Sequence, residues 1–169
     1  MDCITVYQSP IGEITLGSDG YSLTGLWFEG QKHFGGTLAQ HYTRNDGLAV
    51  FADTRRWLDC YFSGGIPQHT PDILLTGTPF QLRVWKELQA IPYSRTVSYG
   101  YVAKAVGCAS AQAVGGAVAL NPVSIIVPCH RVVASNGALT GYAGGLERKE
   151  WLLRLERAGA GLFEKGVSY

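Results

Sequence analysis

The sequence predicts an α+β fold in two parts. A small antiparallel sheet with a flanking helix occupies residues 1–77, linker included, and a mostly helical part with a helix-turn-helix occupies residues 78–169. Three observations lead there. Short runs rich in β-branched and aromatic residues, separated by turn signals, fill residues 4–28. Helix-start signals, a Thr and two Ser residues each ahead of a helical segment, cluster from residue 78 onward. Between them, Gly65 to Gly77 holds two prolines and reads as a linker.

Taken in order, Ile4 to Tyr7, Ile14 to Gly17 and Leu23 to Phe28 read as strands, with Ser9-Pro10-Ile11-Gly12 and Ser18-Asp19-Gly20 as the turns of a meander. Asp46 is placed to cap a helix reaching about Phe62, with Phe51, Leu58 and Phe62 on one face and Gly64-Gly65 as its stop. Thr78-Pro79-Phe80-Gln81 combines an N-cap, a proline at the first helical position and the amide of a capping box. Phe80, Val84 and Leu88 then repeat every fourth residue until Ile91-Pro92 ends that helix. Ser98 opens a short helix to Ala105 or Val106, closed by Gly107; Ser110 opens another from Ala111 to about Leu120, ended by Asn121-Pro122. Two short helices joined in this way match a helix-turn-helix. A final helix runs from about Leu146 to Arg157.

The second helix of the pair carries Gly115-Gly116 in its middle, at a cost of roughly 1 kcal/mol per glycine relative to alanine. Ala111, Ala113, Val114, Ala117 and Val118 are small and uncharged, so the helix lacks the side chains that read base edges in a major groove. Tight packing in the core is the plain explanation for such a surface.

Pro128-Cys129-His130-Arg131-Val132-Val133 is the stretch richest in chemistry. Upstream, Asn121-Pro122-Val123-Ser124-Ile125-Ile126-Val127 is too short and too β-branched for a helix and reads as a buried extended segment. Downstream, Ser135-Asn136-Gly137 is a turn signal, and Thr140-Gly141-Tyr142-Ala143-Gly144-Gly145 is a Gly-rich loop able to bring backbone amides close to a ligand. A thiol between the two faces a pocket. Cys129 has two readings at this point, a small buried hydrophobe or a reactive thiolate. On an extended chain neighbouring side chains point apart, so His130 reaches Cys129 directly only across a tight turn, and otherwise through a water.

The run from Ser98-Tyr99 through Ala113-Val114-Gly115-Gly116-Ala117, Asn121-Pro122, Pro128-Cys129-His130-Arg131-Val132 and Gly141-Tyr142-Ala143-Gly144-Gly145-Leu146 to Lys149-Glu150-Trp151-Leu152-Leu153 resembles the O6-alkylguanine-DNA alkyltransferases, suicide DNA-repair proteins. The resemblance covers residues 78–157; residues 1–77 are similar to that family's amino-terminal domain in length and position only. It implies that Cys129 is nucleophile and acceptor, keeping the alkyl group as a thioether, so that each molecule reacts once. It implies that His130 takes the thiol proton through a water and that Glu156 orients His130. The lesser alternative for Glu156 is an exposed carboxylate paired with a nearby arginine.

The same resemblance implies that Tyr99 gives a proton to guanine as O6 becomes the leaving oxygen, and helps rotate the nucleotide out of the duplex. The backbone of Cys129, Val132 and Ala143 reads the flipped base, Tyr142 forms part of the pocket, and Ser135 and Gly144 join the substrate side. Asn121 ties the helix-turn-helix to the active-site strand, or simply stops a helix before proline. Ala111, Gln112 and Gly115 belong to a helix that such proteins lay in the minor groove, where small residues permit close approach. The implied partner is double-stranded DNA containing O6-alkylguanine, bound by a monomer, with no cofactor. Some members hold zinc in the amino-terminal domain, but here only Cys3 and isolated histidines are on offer, so no metal is expected.

One departure bears on function. The family usually has an arginine early in the second helix, entering the stack where the base was; here the position is Gln112, and no arginine lies between Arg95 and Arg131. Weaker DNA binding or slower flipping follows, with alkyl transfer kept. Ser124 and Val118 fall where pocket-lining residues would lie, and their small size widens the pocket.

Composition sets the outer bounds. A chain of 169 residues, 46% hydrophobic, suits one ordinary domain or two small ones packed together. With neither a long apolar span nor a leader pattern, a soluble, unprocessed, cytoplasmic protein is expected. Cys3, Cys60, Cys108 and Cys129 show no C-x-x-C spacing, which fits reduced thiols. Residues 1–79 hold four Lys/Arg against eight Asp/Glu, a net −4, and residues 80–169 hold ten against five, a net +5. That asymmetry fits a nucleic-acid face on the second part, or an ordinary solvated surface. Two further functional classes compete with the alkyltransferase: a damage-recognition module that binds without repairing, and a Cys-His hydrolase that turns over repeatedly. The first lacks the cysteine present here, and the second lacks an oxyanion hole beyond the Gly-rich loop.

Overall fold

The computed structural model describes the backbone of residues 1–167 and the side chains of residues 1–160. Strands β1 (Asp2–Ser9), β2 (Gly12–Ser18) and β3 (Leu23–Phe28) form the expected antiparallel meander, with Val6 opposite Thr15 and Leu16 opposite Leu26. A fourth strand, β4 (Tyr42–Arg44), pairs in parallel with β1, so the sheet is mixed, in the order β3-β2-β1-β4. β4 is three residues long and fully exposed, with no alternation for the sequence to display.

Helix α1 (Ala49–Phe62) buries Val50, Phe51, Thr54, Leu58 and Tyr61. Its N-cap position is Leu48, not Asp46. Asp46 is engaged elsewhere: its carboxylate accepts from the Thr5 hydroxyl at 2.6 Å and from Arg44 Nε at 2.9 Å, which ties the chain before α1 to β1 and β4. The linker runs along the free edge of β3, where Leu23 N–H donates to Asp72 and Leu74 N–H donates to Leu23, and this covers an edge that would otherwise invite pairing.

The three helix starts after residue 78 behave as their residues dictate. α2 (Pro79–Gln89) opens with the full reciprocal capping box of Thr78 and Gln81. Ser98 caps α3 (Tyr99–Ala105), accepting from Tyr101 N–H at 3.0 Å, and Ser110 caps α4 (Ala111–Ala119), accepting from Ala113 N–H at 3.1 Å. Trp85 of α2 donates its indole N–H to the Ala117 carbonyl at 2.9 Å, locking α4 against α2. Two further strands, β5 (Val97–Ser98) and β6 (Val132–Val133), pair in parallel. They set the start of α3 beside the end of the Cys129 segment. α5 (Leu146–Val167) closes the fold.

Residues 121–127 are buried as expected but not extended. Pro122 and Ser124 bond to Leu26 at the edge of β3, and the chain then turns sharply. Ile126 N–H donates to Ser124 across Ile125, whose φ is +71°, a tight three-residue turn that β-branched residues rarely occupy. The β-branched run reflects burial among core side chains, which strand-like composition alone does not distinguish. Core side chains from both parts, among them Leu26, Phe28, Tyr61, Val123, Val127 and Leu152, join one continuous cluster. No helix among the described residues is long and apolar enough to cross a membrane.

Candidate active site

Cys129 opens a 3₁₀ turn, Cys129–Arg131, between the tight turns of 121–128 and β6. Asn121 holds this arrangement from the end of α4: its Nδ2 donates to the Val127 carbonyl at 2.8 Å and its Oδ1 accepts from Val123 N–H at 3.0 Å. Both bonds are buried, so Asn121 is structurally committed to the turn that presents the thiol.

The thiol faces a cavity of about 120 Å³ lined by Tyr99, Gly115, Val118, Gly141, Tyr142 and Ala143, with Lys32 and His33 at its rim. Burial pushes the Cys129 thiol up to about 11; the Asn121 side chain, the Lys149 charge and the N–H groups of Cys129 and His130 pull the other way. The resting group is therefore a thiol, and a base must take its proton for it to attack.

The next residue is a histidine. His130 is fully buried, and its Nε2 contacts Oε2 of Glu156. A carboxylate can only accept, so Nε2 carries the hydrogen and Nδ1 keeps its lone pair. Nδ1 is buried without a hydrogen-bond partner among the described residues. Burial pushes His130 below its ordinary value, and the Glu156 carboxylate opposes that. Glu156 is fully buried, not the exposed carboxylate of the alternative reading. Its Oε1 accepts from Arg131 Nε at 2.8 Å and from Ser94 N–H at 3.0 Å, and its Oε2 also accepts from the Tyr61 hydroxyl at 2.6 Å. His130 and Arg131 outweigh the burial penalty and hold the carboxyl well below the usual range, so it is ionised.

Tyr99 follows β5 and reaches into the cavity, its hydroxyl donating to the Thr140 carbonyl at 3.0 Å. Burial pushes its phenol up, so it stays a proton donor at neutral pH. Tyr142 also lines the cavity, and burial beside Cys129 holds its phenol well above the ordinary range. Its hydroxyl and that of Ser124 are buried without a hydrogen-bond partner among the described residues.

The structure places Cys129, Tyr99, Gly115, Tyr142 and Ala143 around one cavity, with His130 beside Cys129 in sequence and in contact with Glu156. Ala111 and Gln112 lie outside, exposed at the start of α4. Gly144 is buried under the loop, where a side chain would meet Tyr142 and Phe28, so its smallness lets the loop settle on the sheet. The Val132 carbonyl is already occupied by Lys149 Nζ at 2.6 Å. Ser135 stands exposed on the Ala134–Ala138 turn, away from the cavity lining.

Four residues were given no role by the sequence reading. Lys149 is fully buried and donates to the carbonyls of Val132, Thr140 and Gly141 at 2.6, 2.9 and 3.2 Å, which matches the three N–H bonds of an ammonium. Burial lowers it to about 8, still charged at neutral pH. Lys149 and Glu156 share a face of α5 with Leu152 and Leu153, so two charges on an apolar helical stripe were the available signal. Tyr61 lies on the buried face of α1 with no such mark. Lys32 and His33 reach the cavity from an exposed loop, with Lys32 N–H donating to the Ala143 carbonyl at 3.1 Å.

Known proteins give this arrangement a family. The model described as 6-O-methylguanine DNA methyltransferase, DNA binding domain, matches residues 79–158, and that described as 6-O-methylguanine DNA methyltransferase, ribonuclease-like domain, matches residues 3–67. A methylated-DNA–protein-cysteine methyltransferase of Mycobacterium tuberculosis is 44% identical over 154 residues, covering 90% of this chain and 91% of that one. One from Methanosarcina acetivorans is 42% identical over 153 residues, covering 89% and 96%. The structure is similar to that of Mycobacterium tuberculosis OGT in complex with DNA, with a TM-score of 0.85 and 42% identity over 93% of this chain and 94% of that one. The O6-methylguanine-DNA methyltransferase of Pyrococcus kodakaraensis shares the fold, with a TM-score of 0.55 at 23% identity, covering 92% and 99%. With both parts matched by the family models and relatives at this identity across nine-tenths of the chain, the protein belongs to the O6-methylguanine-DNA methyltransferase family.

Proposed function

We propose that this protein repairs DNA by moving the alkyl group of O6-alkylguanine onto Cys129, once per molecule. The observation that carries the reading is the buried thiol facing a small cavity, with the His130–Glu156 pair directly behind it, in a chain of this family.

The step balances without a cofactor. The Cys129 proton passes to Nδ1 of His130, relayed by one water that also satisfies a buried lone pair. Sulfur then bonds to the alkyl carbon as the carbon–O6 bond breaks, and the base leaves as guanine after gaining a proton from Tyr99. That proton is made good from His130, so the net change is thiol to thioether and alkylguanine to guanine. Glu156 stabilises the imidazolium formed midway. Tyr99 exchanges its Thr140 acceptor for the base, and backbone groups of Ala143 with the Tyr142 side chain hold the base in the cavity.

The DNA side fits α4. Ala111, Ala113, Gly116, Ala119 and Leu120 are exposed beside the polar Gln112, while Val114, Ala117 and Val118 are buried, so a mostly apolar ridge of small residues leads to the cavity that Gly115, Val118 and Ala119 help to line. Such a ridge suits a minor groove read with little sequence preference, by a monomer, with the flipped base entering beside Gly115.

A stoichiometric titration tests the reading. Duplex DNA carrying one O6-methylguanine, in tenfold excess, should lose one methyl per protein molecule and then stop, and Cys129→Ala should remove none. Continued release beyond one equivalent points to a hydrolase; damage-selective binding without transfer points to a recognition module.

A further inference from the structure

We propose that Tyr61, on α1 of the N-terminal part, is a positioning residue for the transfer: through its bond to Glu156 it sets how strongly that carboxylate supports His130. The inference rests on the roles given above to His130 and Glu156.

Tyr61 is fully buried, and its hydroxyl donates to Oε2 of Glu156 at 2.6 Å, the same oxygen that meets His130 Nε2. Two donors therefore divide the charge of one oxygen. The ring has no freedom to move away: it stacks on Trp57 at 5.2 Å and 11°, and meets Phe62 and Tyr93 edge-on. Burial and the Glu156 charge hold the phenol protonated, so it donates throughout the working pH range. Phenylalanine would fill the same space, and what the hydroxyl adds is the bond to the carboxylate.

The other groups that face the pair come from several elements. Arg131 and Ser94 N–H occupy Oε1, while Lys149 on α5, Tyr93 before β5 and Tyr142 in the Gly-rich loop lie close enough to act electrostatically on its members. Among these, Tyr61 comes from the part of the chain that holds none of the reacting groups. The N-terminal part thereby reaches into the proton relay of the other half.

The test uses Tyr61→Phe in the full chain, with two readouts. One is the imidazole ¹⁵N NMR titration of His130; the other is the pH dependence of single-turnover methyl transfer from duplex O6-methylguanine. Loss of one donor leaves more charge on Oε2, so His130 should titrate about half to one unit higher. The acid limb of the rate profile should move with it, slowing transfer about three- to tenfold on that side. In a Glu156→Gln background the same substitution should change neither readout. An unchanged His130 midpoint and acid limb, with only a lower melting temperature, would overturn the proposal and leave Tyr61 as packing. A shifted midpoint in a protein that transfers nothing to Cys129 would uphold the coupling and overturn the function proposed above. If Glu156→Gln does not fold, the His130 titration of Tyr61→Phe decides by itself.

Discussion

The charged residues at the site are buried, and that makes them sensitive to pH in a defined direction. His130 in the fold lies below its ordinary 6.5, and Glu156 lies below its ordinary 4.5. In both cases the unfolded chain takes up protons that the native chain refuses. Their contribution is therefore complete above pH 6.5, falls first as His130 would protonate, and falls further below 4.5 as Glu156 would. Urea midpoints should drop steadily from about pH 7 to about pH 3, and Glu156→Gln should flatten the part of that slope below about pH 4.5. Equal midpoints at the two ends would contradict the account. Lys149 supports the opposite wall. Lys149→Met removes a donor from the carbonyls of Val132, Thr140 and Gly141, of which Thr140 keeps the Tyr99 hydroxyl, and should cost about 1–3 kcal/mol, with faster amide exchange around the Thr140–Gly141 loop. At this scale the Cys129 segment stood out in the sequence by its Pro-Cys-His run between an apolar stretch and a Gly-rich loop, while the roles of His130 and Glu156 were named through the resemblance. Tyr61, the partner of Glu156, lies 95 residues away, and no local pattern links two residues so far apart.

Among the elements, α4 carries the clearest trade between stability and function. A Cβ at Gly116 would meet nothing within 4 Å among the described residues, and one at Gly115 would only touch Tyr99 at 4.0 Å. Tight packing inside the protein therefore does not explain this glycine pair, and close approach of DNA, as proposed above, does. Gly116→Ala should stabilise the protein by up to about 1 kcal/mol and weaken binding to duplex DNA, which denaturant melts and anisotropy titrations measure together. Gln112, exposed on the same helix, lacks a guanidinium's charge and stacking plane. Gln112→Arg should speed transfer from duplex DNA and leave transfer from free O6-benzylguanine unchanged, because only the duplex requires a filled stack. Helices were legible wherever capping chemistry is local, as at Thr78, Ser98 and Ser110. The 121–127 segment was not, because its turns are dictated by Asn121 and by the edge of β3, contacts that composition does not record.

For the whole molecule, the two halves share a core and a site. Phe28 supports the Gly-rich loop, Arg148 sits over Phe28 at 4.8 Å and bonds to Ile11, and Tyr61 completes the relay. We therefore expect one cooperative thermal transition, with the calorimetric and van't Hoff enthalpies equal; two separate peaks would show that the halves are independent. The charge asymmetry, −4 over residues 1–79 and +5 over residues 80–169, places the basic excess in the half that holds α4. The shared core was not readable from the sequence, since long-range packing leaves no periodic trace. The central claim is tested most directly by intact mass and peptide mapping after reaction with duplex O6-methylguanine. A single methyl on Cys129, absent from Cys3, Cys60 and Cys108, is the predicted result. An unmodified Cys129 alongside repaired DNA, or a methyl on another residue, would contradict it.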